Sequence, residues 1–117
     1  MNPILSGELM EEFETLEEIK AFIRSGQLRL IYLSRPACGV CTAIKPKVIN
    51  LMNQYPELKG AYINMDQIPE SAGEFSIFTI PGIIFYIDGK EMIREARYIS
   101  IDDLSSRIDR FYTMLHS

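Results

Sequence analysis

Tryptophan is absent from this 117-residue chain, histidine occurs once and cysteine only twice. No run of lysine and arginine breaks its acidic balance, a net charge of −4 and a pI near 5.0. Without a positive patch there is nothing to gather the phosphates of a nucleic acid or the headgroups of an anionic bilayer, so neither partner is expected. No apolar stretch approaches the length of a membrane span; the longest runs from Ile83 to Ile87. Met1 to Leu9 carry no basic n-region and no long apolar h-region. The start does not read as a secretory leader, and a cytoplasmic setting is expected, where thiols are kept reduced. A zinc site would need two ligands beyond the two cysteines, and the lone histidine, His116, sits beside the C-terminus. Neither a metal nor a bound cofactor is expected.

What is present is ordinary for a globular chain: 47% apolar and 24% charged residues. The length suits one domain, residues 1–117, with a real core, and a monomer is expected. Helix-like and strand-like periods alternate along it. Thr15-Leu-Glu-Glu18 reads as a capping box that opens a helix with Leu16, Ile19, Phe22 and Ile23 on one face and Gly26 as its stop. Leu28 to Leu33 reads as a buried strand. A second helix is expected from about Cys38 to Gln54, with Ile44, Val48, Leu51 and Tyr55 as its apolar stripe and Pro46 as a kink. Ala61 to Met65 is a strand candidate, and Ile68 to Phe75 a short irregular or helical piece. Ile83–Ile87, Asp88-Gly89 and Glu91–Ala96 read as a hairpin. Ser100 caps a last helix through Leu104, Ile108, Phe111 and Leu115. Residues 1–14 are an N-terminal extension or an edge strand. The fold class is α/β: a mixed central sheet with helices on both faces.

The chemistry concentrates in Cys38-Gly-Val-Cys41, at a strand-to-helix junction. Free N–H groups and the helix dipole at such a junction stabilise a thiolate. Cys38, as the first helical residue, is the expected nucleophile with a lowered thiol pKa; Cys41, one turn deeper, is the expected resolving thiol. Gly39 offers no side chain to block a partner. Arg35 adds positive potential near Cys38, or is a solvated loop residue. A structural disulfide across this spacing closes a tiny loop and stabilises little; an incidental pair of buried thiols is the remaining bland reading. Pro81, by itself, reads equally as a trans turn proline before a strand or as a cis one.

Several further motifs fall in register with the cysteines. Pro46 stands five residues after Cys41, Ile63-Asn-Met-Asp-Gln-Ile-Pro69 follows, then Phe75-Ser-Ile77, Thr79-Ile-Pro81 and Asp88-Gly89-Lys90. From about Thr15 to Leu115 the chain resembles the thioredoxin family. The resemblance implies a thioredoxin-like fold and a cis Ile80–Pro81 bond facing the cysteines, with residue 80 presenting its backbone to a client strand. Ala37, Gly39, Val40, Ile80, Pro81 and Tyr98 become the expected docking residues, on a flat apolar surface. It also marks departures. A tryptophan common in the family is Ala37 here, and the usual Gly-Pro pair is Gly39-Val40. A buried Asp and a Lys that assist proton transfer at the second cysteine are matched by Tyr32 and Tyr62, and Tyr62 offers no ammonium partner. A groove-lining glycine is matched by Arg97.

Two functions of different class follow. One is a protein-disulfide reductase acting on disulfide-containing client proteins through Cys38 and Cys41, recharged by a flavin-dependent thioredoxin reductase. The other is a thioredoxin-like binding module or narrow-client redox sensor with weak general turnover, favoured by Ala37, Arg97 and the two tyrosines.

Overall fold

The computed structural model describes residues 10–117. Met1–Leu9, on which the reading of a missing leader rests, lie outside the described residues. The chain runs β1 (Met10–Glu12), α1 (Leu16–Arg24), β2 (Leu28–Ser34), α2 (Gly39–Met52), β3 (Lys59–Asn64), α3 (Ser71–Phe75), β4 (Gly82–Ile87), β5 (Lys90–Ala96) and α4 (Ile101–Leu115). The strands form one sheet in the order β1-β3-β2-β4-β5. β3 pairs in parallel with both β1 and β2, while β4 is antiparallel to β2 and β5 to β4. The mixed sheet expected from the sequence is therefore present, and an edge strand does occur at residues 10–12.

Local chemistry explains most boundaries. The Thr15 hydroxyl accepts the Glu18 N–H at 3.2 Å, and the Glu18 carboxylate accepts the Thr15 N–H at 3.2 Å, which starts α1. The helix stops as expected just before Gly26: its last residue is Arg24 and the C-cap is Ser25, in right-handed backbone, with no left-handed turn at Gly26. Arg29 reaches back to this end: its Nε–H donates to the Phe22 carbonyl at 3.2 Å, which also accepts the Ser25 N–H and hydroxyl, and its Nη1–H to the Leu28 carbonyl of β2 at 2.9 Å. A Cβ at residue 26 would collide with this guanidinium, so the glycine makes room instead of turning the chain. The Asp88-Gly89 turn has φ of +51° and +80°, the backbone a two-residue hairpin needs.

The alternation along β2 divides the core. Leu28, Leu30 and Tyr32 face α2 and α4, with Val48, Met52, Leu104 and Ile108. Ile31 and Leu33 face the other side, with Ile19, Phe22 and Phe75 from α1 and α3. All of β2 is buried because both faces of this central strand are covered, which is why its sequence is apolar apart from Arg29 and the terminal Ser34.

Candidate active site

Central strand β2 ends at Ser34, and a turn closed by the Cys38 N–H donating to the Arg35 carbonyl at 3.0 Å starts α2. Cys38 is not the first helical residue, as the sequence reading had it, but the N-cap: its φ of −85° and ψ of 106° are extended. From there its Sγ accepts the Cys41 N–H at 3.1 Å, the bond an N-cap oxygen ordinarily makes. The two sulfurs are bonded as a disulfide, with Cα atoms 5.2 Å apart. Cys38 is half-buried and Cys41 is 1% exposed, so one sulfur faces outward and the other inward. Gly39 has no neighbour within 4 Å of where a Cβ would stand, which leaves the approach beside Cys38 open. Pro46 lies inside α2, which continues beyond it to Met52.

Behind Cys41 stands Tyr32, fully buried on β2. Its hydroxyl donates to the Cys41 carbonyl oxygen at 2.5 Å. Burial pushes its pKa up to about 12, with neighbouring Tyr62 adding to the shift, so near neutral pH it is a donor and not a proton acceptor. The Tyr32 and Tyr62 rings lie 6.2 Å apart across the β2–β3 pair. Tyr62 carries no ammonium of its own, but Lys45, from α2, places its Nζ 4.3 Å from the centre of the Tyr62 ring. Arg35 is an exposed loop residue, in line with the second of its two readings. Its Nε donates to Asp66 Oδ1 at 3.0 Å, so its charge is matched by a carboxylate in the loop after β3.

The remaining expected residues gather from two other elements. The Ile80–Pro81 bond is cis. Ile80 and Cys38 both pack against the core cluster that contains Cys41. The Arg97 N–H donates to the Pro81 carbonyl at 2.7 Å and ties the end of β5 to the Pro81 loop, bringing Tyr98 along. Ala37 is exposed, Val40 58% and Tyr98 78% exposed. Beside Tyr98, Val40, Ile44, Arg97 and Ile99 line a shallow, open hollow of about 380 Å³, and the Arg97 guanidinium lies over the Tyr98 ring at 4.8 Å. Phe78, 74% exposed in the loop before Ile80, was missed. Its signal was an aromatic residue that no helix or strand period uses. Among the described residues no group of histidine, cysteine, aspartate and glutamate is arranged to hold a metal, and no helix is long and apolar enough to cross a membrane.

Comparison with known proteins converges on this arrangement. The family model for thioredoxin matches residues 11–110. The chain is 38% identical over 105 residues to a thioredoxin-like protein, YdfQ, of Bacillus subtilis, covering 90% of this chain and 94% of that one. It is 32% identical over 78 residues to thioredoxin of Chlamydia pneumoniae, covering 67% and 76%. The structure of Fasciola hepatica thioredoxin superposes with a TM-score of 0.78 at 30% identity, covering 86% of this chain and 98% of the other. A Cys-x-x-Cys pair at bonding distance on this sheet, within a match that spans most of the chain, places the protein in the thioredoxin family as a dithiol/disulfide oxidoreductase.

Proposed function

We propose that this chain reduces disulfides in client proteins, with Cys38 attacking and Cys41 resolving. The observation that carries the reading is the asymmetry of the pair: Cys38 half-exposed at the N-cap of α2, Cys41 buried one turn inside. The Cys41 N–H aimed at the Cys38 sulfur, with the other free N–H groups of the first turn, favours a thiolate at Cys38. In the dithiol form that thiolate attacks one client sulfur. The client S–S bond breaks, one client thiolate leaves, and a mixed disulfide joins Cys38 to the client. Cys41 then gives up its proton and its thiolate attacks the Cys38 sulfur. The mixed disulfide breaks, the second client thiolate leaves, and the Cys38–Cys41 bond forms. Two electrons pass from the dithiol to the client.

Ala37, Gly39, Val40 and Tyr98 supply the docking face in this reading, and Ile80, held by Pro81, offers its backbone to an extended client segment. A cytoplasmic flavin-dependent thioredoxin reductase returns the electrons. A second reading, a narrow-client redox sensor, draws on two features: Tyr32 is a donor where the family carries a carboxylate, and Arg97 covers part of the Tyr98 face. A disulfide-reduction assay with a flavin-dependent thioredoxin reductase as electron donor separates the two. Many turnovers per protein support the reductase. No turnover from a protein with two free thiols supports the sensor.

A further inference from the structure

The hollow beside Val40 does not end at Tyr98. It shares Ile44, Ile99 and Ser100 with a larger one of about 500 Å³ between α2 and the start of α4. Together they make one trough that begins inside the Cys38–Cys41 segment and runs down α2 to Gln54. Half-buried Ile44, Ile99 and Ile101 form its floor. Exposed Lys47, Asn50 and Gln54 stand along one wall, and Asp102 and Ser105 along the other.

We propose that this trough binds an extended stretch of the client, the residues flanking the cysteine that Cys38 attacks. The proposal rests on the disulfide-reductase reading. Exchange at Cys38 fixes the client's sulfur next to Val40, and the client chain must leave that point in some direction. The trough opens there and continues the site. Its length fits. Val40 to Gln54 covers roughly 21 Å of helix at ~1.5 Å per residue, or about six residues of extended chain at ~3.3 Å each. Its chemistry fits as well. In an extended segment, alternate side chains meet an apolar floor and the others face water. The Asn50 and Gln54 amides carry both the donors and the acceptors that an unpaired peptide backbone requires. Walls bearing one cation and one anion select neither an acidic nor a basic ligand, which matches a peptide more than a charged metabolite.

The test compares three disulfides in single-client assays. One is the disulfide of N-acetylcysteine amide. The others are the same cysteine extended by six alternating leucine and serine residues, on its N-terminal or C-terminal side. The expected result is about a tenfold higher kcat/KM for one of the two extended peptides, carried by a lower KM with kcat little changed. Gln54→Trp or Ser105→Arg, which fill the trough from exposed or half-exposed positions, should bring the ratio of extended to short substrate close to one. Equal kcat/KM for all three substrates in the unaltered protein overturns the trough while leaving disulfide reduction in place. No turnover on any of them overturns the reductase reading and the trough with it.

Discussion

Tyr32 sets the environment of the second thiol. A resolving cysteine must lose a proton before it attacks, and a phenol held near pKa 12 cannot take it at neutral pH. Its hydroxyl is in any case committed to the Cys41 carbonyl oxygen. Tyr62 and Lys45, the other polar groups beside it, are engaged with each other through ring and ammonium. Decay of the mixed disulfide should therefore be slow near pH 7 and speed up as pH rises toward the thiol's own range, which stopped-flow measurement on a trapped client will show. Fast, pH-independent decay would mean that another group serves Cys41. Tyr32 also links stability to pH. Its folded pKa of about 12 exceeds the ordinary phenol value of 10.0, so its contribution is complete below pH 10 and is lost as pH climbs through 12. Denaturant melts across that window should show the alkaline loss, and Tyr32→Phe should remove this residue's share while costing about 1 kcal/mol at neutral pH for the lost hydrogen bond. The tyrosine's position was legible through the family resemblance, which matches it to a buried aspartate. Its hydroxyl's partner was not, because no spacing in the chain says that a β2 side chain ends under the first turn of α2. Lys45 over Tyr62 was hidden for the same reason: the contact joins α2 to β3.

At the scale of elements, Arg97 is the clearest local conflict. It holds φ of +72°, a region that L-residues with a Cβ enter at a cost of about 1–2 kcal/mol and glycine enters freely. Stacking on Tyr98 offsets part of that. Arg97→Gly should raise stability by about 1 kcal/mol in urea unfolding and uncover the Tyr98 face. At the other end of the chain, Thr15→Ala removes one half of a reciprocal cap and should cost about 1 kcal/mol. Elements with a chemical signature at their ends were the legible ones: the Thr15 box, the Asp88-Gly89 turn, and Ser100, whose hydroxyl accepts the Asp103 N–H at 3.2 Å. Ends set by tertiary contact were not. Gly26 marks where α1 stops, but not the Arg29 side chain that reaches back from β2 to hold that end. Tyr55 fits the α2 stripe by period and is buried, but it lies three residues past the helix, where its hydroxyl donates to Asp109 of α4 at 3.0 Å. Strand β1 has only three residues and one buried side chain, too little for a period to register.

At the scale of the molecule, one sheet carries two cores, and each central strand serves both. Leu30 and Ile31 are neighbours in sequence, both fully buried, on opposite faces. Neither layer has a strand of its own to keep if the other opens, so residues 10–117 are expected to unfold as one unit. Leu30→Ala and Ile31→Ala should each cost about 2–5 kcal/mol and preserve a single transition in both fluorescence and circular dichroism; two separated transitions would count against it. The same architecture holds Cys41 in one core and lets Cys38 stand at its rim, and the proposed chemistry follows from that difference in access. Its most direct test is intact-mass spectrometry of two variants after exposure to a protein disulfide. Cys41→Ser should accumulate a mixed disulfide on Cys38, because attack is intact and resolution is missing. Cys38→Ser should carry no adduct. Adducts accumulating on Cys41 in the Cys38→Ser protein would contradict the assignment.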